Sequence, residues 1–209
     1  KKAVGIVKRG IVKIFTPGTT SSQKDLKRNT FLASIHSHEN EYHLAFLDLS
    51  EGKIKLIKFN NAAELLNNLN LIDAREILVE KESELHNYIL QNTKNSDLKL
   101  LNKIESKLFE KIENDSLISS NLKKQIEKIS SSAIHSLINY ISETERTNLD
   151  HITEIETISI KSNVYLDANV ARNLELVDPQ RKDSTSLWQF LDKCSTTNGS
   201  KLLRSWILS

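Results

Sequence analysis

The chain has 209 residues, of which 38% are hydrophobic and 27% are charged, and its formal net charge is +2 at pH 7. This composition supports a packed core and argues against global disorder. The nearly balanced charge gives no indication of nucleic-acid binding by itself. The single cysteine, Cys194, excludes an intrachain disulfide and suits a reducing compartment, and no membrane span of about 18 apolar residues is predicted.

The two ends of the chain predict an internal, non-catalytic piece of a larger intracellular protein. The chain contains no methionine, and it ends in the apolar stretch Leu202-Leu203-Arg204-Ser205-Trp206-Ile207-Leu208-Ser209. Natural chain ends are more often frayed and polar. The alternative is a processed mature chain that ends in a docked helix.

The N-terminal part predicts short strands followed by a turn. Residues 4–16 alternate between apolar and polar positions around Gly10, which is typical of one or two short strands. In the next segment, Thr16-Pro17-Gly18-Thr19, the Pro-Gly pair predicts a type II turn in which Gly18 has a positive φ. The polar residues 21–29 predict an exposed linker and a first domain boundary.

The middle of the chain predicts an α/β layer, because strands joined by short turns are followed by alternating helices and strands. Strands are predicted at residues 31–35, 42–49, 53–59, 76–79 and 97–100. Helices are predicted at residues 62–69 and at 83–91, where Ser83 is the N-cap. The turn Ser50-Glu51-Gly52 joins the second strand to the third.

The rest of the chain is predicted to be mainly helical. Apolar residues at helical spacing predict helices at residues 101–112, 123–144, 167–174, 187–193 and from 200 onward. Asp167 is the predicted N-cap of the third of these helices, and short strands are predicted at 156–160 and 164–166. The polar stretch 145–150 predicts a second domain boundary.

Several patterns that support enzymatic chemistry are missing from the sequence. The five glycines form neither GxxxxGK[ST] nor GxGxxG, which excludes binding of ATP or a dinucleotide through those loops. One cysteine cannot form a zinc site of clustered cysteines, and Cys194 has only Lys193 beside it as an activator. No catalytic, cofactor-binding or metal-binding residue is therefore predicted.

Asp48 leaves an alternative open. At a strand end shortly before Gly52, it is predicted to be a turn residue. In the alternative, it is a Mg²⁺ ligand of a ribonuclease-H-like nuclease, because Mg²⁺ prefers carboxylate oxygens. That site would need further carboxylates, for which Glu76 and Asp97 are candidates by their order in the chain.

Two groups of basic or imidazole side chains also allow a binding role. His36, His38 and His43 lie close in sequence, but no carboxylate or cysteine completes a ligand set, so a polar hairpin loop is predicted. The candidates for contact with DNA phosphates are Lys8, Arg9 and Lys13.

Two stretches are more specific than generic globular sequence. The first is Val12-Lys13-Ile14-Phe15-Thr16-Pro17-Gly18-Thr19. The second begins at Tyr165-Leu166-Asp167 and Asn173-Leu174-Glu175-Leu176, and it ends in Thr197-x-Gly199-x-Lys201-Leu202-Leu203-Arg204-Ser205-Trp206. In this order, the two stretches resemble the MutS family of DNA mismatch-repair proteins, although Lys201 stands where that family usually has arginine. The family-motif residues are Thr16, Pro17, Gly18, Thr19, Asp167, Asn173, Leu174, Gly199, Leu203, Arg204 and Trp206.

The resemblance implies three parts of a longer parent. Residues 1–19 would end the mismatch-recognition domain, 20–147 would form the connector domain, and 148–209 would begin a truncated, mainly helical core (lever) domain. The connector domain would have a ribonuclease-H-like mixed sheet with flanking helices and no nuclease activity. The family's mismatch-stacking element and ATPase site lie outside this chain, so no residue of either is assigned here.

The resemblance also implies a role. The connector would transmit between the mismatch-binding and ATPase domains, with a hinge near 147–150, and would offer a docking face to a MutL-type repair protein. The parent would be a homodimer that binds mismatched double-stranded DNA and uses ATP and Mg²⁺.

An excess of Asn, Lys and Ile predicts an AT-rich, bacterial genome and hence the bacterial cytoplasm, whereas a meiotic or eukaryotic homologue is the alternative within the family.

Overall fold

The computed structural model describes residues 12–19, 29–72, 74–92, 101–113, 115–146, 148–159, 168–181 and 183–208. In this part of the chain, one mixed sheet is covered by helices on both faces. The strands are β1 (Phe31–His38), β2 (Glu41–Asp48), β3 (Lys53–Phe59), β4 (Glu76–Glu80), β5 (Leu101–Ile104) and β6 (Glu154–Ile158). The helices are α1 (Ala62–Ile72), α2 (Glu84–Asn92), α3 (Lys107–Glu110), α4 (Ser120–Ile129), α5 (Ser132–Glu145), α6 (Ala168–Asn173), α7 (Leu187–Leu191) and α8 (Thr197–Ile207).

The sheet has the strand order β5-β4-β1-β2-β3-β6. The short turns predicted between β1, β2 and β3 make these strands consecutive antiparallel neighbours. The strands β4 and β5 add in parallel beside β1. The last strand, β6, follows the boundary predicted at 145–150, yet it pairs in parallel with β3 and extends the same sheet. The predicted fold class, a mixed α/β sheet with flanking helices, is confirmed.

Each face of the sheet buries its own apolar core, because successive side chains along a strand point to opposite faces. On one face, α4 and α5 cover residues such as Leu32 and Leu56. On the other face, α1 and α2 cover residues such as Phe31 and Ile77. We call these the α5 face and the α1 face. None of the helices in the described residues is long and apolar enough to cross a membrane.

Two predicted helices are wrong. Residues 101–104 form β5, because Leu101 and Ile104 fit a helical period but pairing in parallel with β4 decides their conformation. The helix predicted over 123–144 is two helices, since α4 ends where Ser130 adopts a left-handed φ of 46°. Serine favours helix ends over helix interiors, and Ser130 is followed by Ser131, the N-cap position of α5.

The strand predicted near the N-terminus is also wrong for the residues that the structure describes. Residues 12–16 form no strand, and the Ile14 amide donates instead to the Thr144 carbonyl at 2.8 Å. The other predicted elements at 4–11, 97–100 and 164–166 lie outside the described residues, as does Asp167. The remaining strands and helices agree within a few residues, and Ser83 caps α2 by accepting from the His86 amide at 3.1 Å.

The predicted polar hairpin of histidines is partly buried in the fold. His36 and His43 are register partners on β1 and β2, while His38 ends β1 and is exposed. The His43 Nδ1 lies 3.0 Å from the Ser131 hydroxyl, and the His36 ring lies 5.2 Å from the Phe109 ring. Among the described residues, no group of three or more His, Cys, Asp or Glu side chains is placed to hold a metal ion.

Three histidines make the stability of the fold dependent on pH. Burial lowers the pKa of His36, His43 and His86 below the usual 6.5, and this outweighs the nearby carboxylates Glu80 and Glu41 at the first two. The unfolded chain therefore binds protons more readily than the folded chain as the pH falls through 6.5. Their contribution to stability is complete above that pH and is lost progressively below it.

We expect the urea midpoint of unfolding to be lower at pH 5.5 than at pH 7.5. Each histidine that protonates only on unfolding lowers the free energy of unfolding by up to about 1.4 kcal/mol per pH unit. Asp48 does not contribute to this difference between pH 5.5 and 7.5, because its pKa is lowered below the usual 3.8. A His86→Gln variant should show a smaller dependence than the wild type. A midpoint that stays constant or rises between pH 7.5 and 5.5 would show that the histidines do not contribute in this way.

Candidate functional site: two buried carboxylates at one end of the sheet

Two buried carboxylates lie at the same end of the sheet, on the strands that flank β1. Asp48 in β2 pairs with Phe31, and Glu76 in β4 pairs with Leu32. Their exposed fractions are 4% and 1%. Paired residues share a face, so Asp48 points to the α1 face and Glu76 to the α5 face. We call these side chains and their partners the Asp48 anchor and the Glu76 anchor.

The Glu76 anchor holds the turn Thr16-Pro17-Gly18-Thr19. One carboxylate oxygen, Oε2, accepts from the Gly18 amide at 2.9 Å. The other, Oε1, accepts from the Tyr140 hydroxyl of α5 at 2.5 Å and from the side-chain amide of Asn102 in β5 at 3.1 Å. Burial and the Glu76 carboxylate together raise the pKa of Tyr140, so its hydroxyl remains a donor. A buried carboxylate therefore joins the N-terminal segment to a helix and to two strands.

The turn itself differs from the predicted type II geometry. It closes with a hydrogen bond from the Thr19 amide to the Thr16 carbonyl at 3.1 Å. Gly18 does not have a positive φ, so the type II prediction is wrong. Glycine is required for its small size instead, because a Cβ at this position would lie 2.8 Å from Leu32 Cδ1 and 2.9 Å from Glu76 Oε2.

We expect Gly18→Ala to detach the turn from the sheet. The added methyl group meets Leu32 and Glu76 at distances that force one of them to move, which costs about 1–3 kcal/mol in a packed core. Limited trypsin digestion followed by mass spectrometry should show faster cleavage after Lys13. Pro17→Ala is the matched control, because Pro17 is exposed in the same turn. Equal cleavage rates in wild type and Gly18→Ala would mean that the turn tolerates a Cβ.

Lys13 reinforces the same attachment. Its ammonium lies 2.5 Å from the Glu145 carboxylate at the end of α5 and 5.3 Å from the centre of the Phe15 ring. Lys8 and Arg9, the other candidates for phosphate contact, lie outside the described residues. Contact between Lys13 and DNA stays a prediction, and it would compete with the Glu145 ion pair.

The Asp48 anchor holds the C-terminal helix α8. Asp48 Oδ2 accepts from the Lys201 ammonium at 2.6 Å and from the Thr30 amide at 3.1 Å. Asp48 Oδ1 accepts from the Ser50 amide at 2.9 Å and from its hydroxyl at 2.7 Å, and Lys201 also donates to the Ser50 hydroxyl at 2.9 Å. Burial alone would raise the pKa of Asp48, but the hydrogen bonds from Lys201 and Ser50 outweigh it and hold the pKa below its usual range.

A segment that follows the predicted boundary at 145–150 packs on the turn between β2 and β3. Gly52 has a positive φ of 67°, and its carbonyl accepts from the Thr153 amide at 3.0 Å. A Cβ on Gly52 would lie 2.2 Å from the His151 carbonyl oxygen. The backbone of residues 151–153 therefore packs directly on the turn that carries the Asp48 anchor.

The family-motif residues near the C-terminus have different surroundings. Gly199 donates to the Thr196 hydroxyl that caps α8, and Arg204 is buried beside Asn70 at a cavity of about 100 Å³ between α1 and α8. Trp206 is 65% exposed, and Leu174 is 62% exposed. Asn173, which accepts from Gln180 through its carbonyl, ends α6, and Leu203 is half-buried.

The geometry does not assemble the alternative nuclease site at Asp48. Each of the two Asp48 carboxylate oxygens already accepts two hydrogen bonds, and Glu76 points to the opposite face of the sheet. Asp97 lies outside the described residues. We expect no Mg²⁺-dependent cleavage of double-stranded DNA or an RNA–DNA hybrid by the purified chain, with no change on Asp48→Asn. Cleavage that depends on Mg²⁺ and disappears in Asp48→Asn would establish the nuclease.

Sequence reasoning missed most of the partners in the two anchors. The sequence motifs include Lys201 only as a departure from the family's usual arginine, and they include neither Tyr140 nor Asn102. One signal was available: Glu76 opens the otherwise apolar stretch Ile77-Leu78-Val79, and a charged residue there must be buried with partners.

Comparison with known proteins identifies the family. Residues 30–153 match the family described as MutS domain II. Proteins named DNA mismatch repair protein MutS are 31% identical over 217 residues in Ruminiclostridium cellulolyticum, 32% over 212 in Lactococcus lactis subsp. cremoris and 33% over 222 in Clostridium botulinum. These alignments cover 98%, 99% and 99% of the chain and 25%, 24% and 22% of the relatives.

The chain thus spans at most 25% of the length of these three relatives. The matched residues 30–153 include strands β1 to β5 and the carboxylates Asp48 and Glu76. The turn at 16–19 precedes the matched residues, and Lys201 follows them. Both the family match and the relatives agree with the resemblance drawn from the sequence motifs. The chain belongs to the MutS family and contains its domain II.

Proposed function

We propose that this chain is the connector module of a MutS-type mismatch-repair protein, which transmits between a mismatch-binding part and an ATPase part. The observation that supports this role is that both flanking segments attach to one end of the sheet through buried carboxylates. The N-terminal turn attaches through Glu76, and α8 attaches through Asp48. Transmission between distant sites requires rigid elements that move as units, and the two cores on the sheet supply such a unit.

The position of the anchors favours mechanical coupling between the flanking segments. Asp48 and Glu76 sit on strands that both pair with the first two residues of β1. Neighbouring strands lie about 4.8 Å apart, so the two backbones are about 10 Å apart on opposite sides of β1. A displacement of the N-terminal turn would therefore reach the strand that holds α8 through a single intervening strand.

The parent protein would supply the activities that this chain lacks sequence motifs for. We infer that it binds mismatched double-stranded DNA as a homodimer, with ATP and Mg²⁺ bound outside this chain, and that the connector offers a surface to a MutL-type partner. The relatives named above are bacterial, which supports the bacterial cytoplasm as the location. A domain division at 1–19, 20–147 and 148–209 stays part of this proposal, with β6 shared by the connector sheet.

The test compares full-length gene product carrying Glu76→Gln with wild type. Binding to a fluorescent G·T duplex should change less than threefold, while ATP-driven release from it should slow at least tenfold. The reason is that the mutated anchor no longer couples a conformational change in the ATPase part to the mismatch-binding part. Glu156→Gln, an exposed glutamate on β6, is the matched control. Unchanged release in Glu76→Gln, or strong discrimination between G·T and paired duplex by the present chain alone, would contradict the proposal.

A further inference from the structure

The contact of α8 with the sheet is polar. The helix buries Ser200, Lys201 and Arg204, whereas Leu202 and Trp206 are 50% and 65% exposed. Leu203 and Ile207 are half-buried, so the side chains that α8 buries most completely are polar. Polar contacts are directional, so they permit fewer orientations of a helix than apolar contacts do.

Lys201 makes the decisive one of these contacts. It is 7% exposed and lies 153 residues from Asp48 in the chain. Its ammonium donates to two acceptors on the β2–β3 turn, Asp48 Oδ2 and the Ser50 hydroxyl. Asp48 is itself fixed by the Thr30 and Ser50 amides, so the acceptor pair has one geometry. The ammonium therefore has one defined position on this turn.

We propose that Lys201 is a positioning residue that locks α8 in one orientation on the β2–β3 turn. The role of the lock in transmission rests on the function proposed above, whereas its role in orientation does not.

The lock can be tested by distance measurements between spin labels. Labels at Glu127 on α4 and Ser205 on α8 are suitable because both residues are exposed, in a background in which Cys194→Ser removes the native thiol. Lys201→Met should at least double the width of the distance distribution of wild type. Asp48→Asn should broaden it too, and it provides a second variant if Lys201→Met folds poorly. Lys193→Met, an exposed lysine near α8, is the matched control and should leave the distribution narrow.

Lys201→Arg separates positioning from simple loss of a side chain. It retains the cation, so it should keep the distribution closer to wild type than Lys201→Met does. Distributions in Lys201→Met and Asp48→Asn that match wild type in centre and width would overturn the lock, whatever the family function. Broad distributions combined with normal ATP-driven release from a G·T duplex by full-length Lys201→Met would support the lock and contradict its role in transmission.

Discussion

Replacing Glu76 with leucine should lower the free energy of unfolding by about 3–5 kcal/mol, because three donors lose a buried acceptor. The donors are the Gly18 amide, the Tyr140 hydroxyl and the Asn102 side chain. Urea unfolding followed by circular dichroism measures the change. Glu156→Leu, at an exposed position of β6, should change stability by less than about 0.5 kcal/mol.

Glu76→Gln refines the same prediction. In wild type, both oxygens of the carboxylate accept hydrogen bonds. Glutamine has one oxygen and one NH₂ group, so its NH₂ group would lie against one of these donors without an acceptor. We expect a loss of about 1–3 kcal/mol, smaller than for leucine. If both variants were as stable as wild type, the carboxylate would not be holding the turn, and the Glu76 anchor would be wrong.

The second large effect is expected at Asp48. Asp48→Leu leaves the Lys201 ammonium buried without its anion, and such a change costs about 3–5 kcal/mol. Lys201→Met leaves the carboxylate without its cation and should also destabilise, although Asp48 keeps the hydrogen bonds from Ser50 and Thr30.

The double variant Asp48→Leu, Lys201→Met decides whether the two side chains act as a pair. It should lose less stability than the sum of the two single variants by at least about 1 kcal/mol, because neither charge is left unpaired. Urea midpoints of the four proteins give this coupling energy. Additive losses would show that Asp48 and Lys201 contribute independently.

Local patterns in the sequence predict most of the sheet. Alternation and short turns place β1, β2 and β3, and a serine before a helical repeat places the start of α2. The errors arise where tertiary contacts compete with a local pattern. Leu101 and Ile104 fit a helix, but β4 offers them a strand partner. Pro17-Gly18 fits a type II turn, but the constraint on Gly18 is the space beside Leu32.

The anchors could be predicted only in part, for a physical reason. Asp48 and Glu76 can be recognised as charged residues on apolar strands, and such residues need partners. Their partners lie 153, 58 and 64 residues away at Lys201, Gly18 and Tyr140. No periodicity or spacing connects residues so far apart, because the contacts exist only after the sheet and helices have assembled.

Amide hydrogen exchange tests most directly whether the two carboxylates hold the flanking segments at one end of the sheet. The amides of Gly18, Thr30 and Ser50 all donate to these carboxylates, the first to Glu76 and the other two to Asp48. All three should be protected in wild type. Glu76→Gln should speed exchange more at Gly18 than at Thr30 and Ser50, and Asp48→Leu should speed it more at Thr30 and Ser50 than at Gly18. A Gly18 amide that exchanges at the unprotected rate in wild type would contradict the account, as would equal loss of protection at all three amides in both variants.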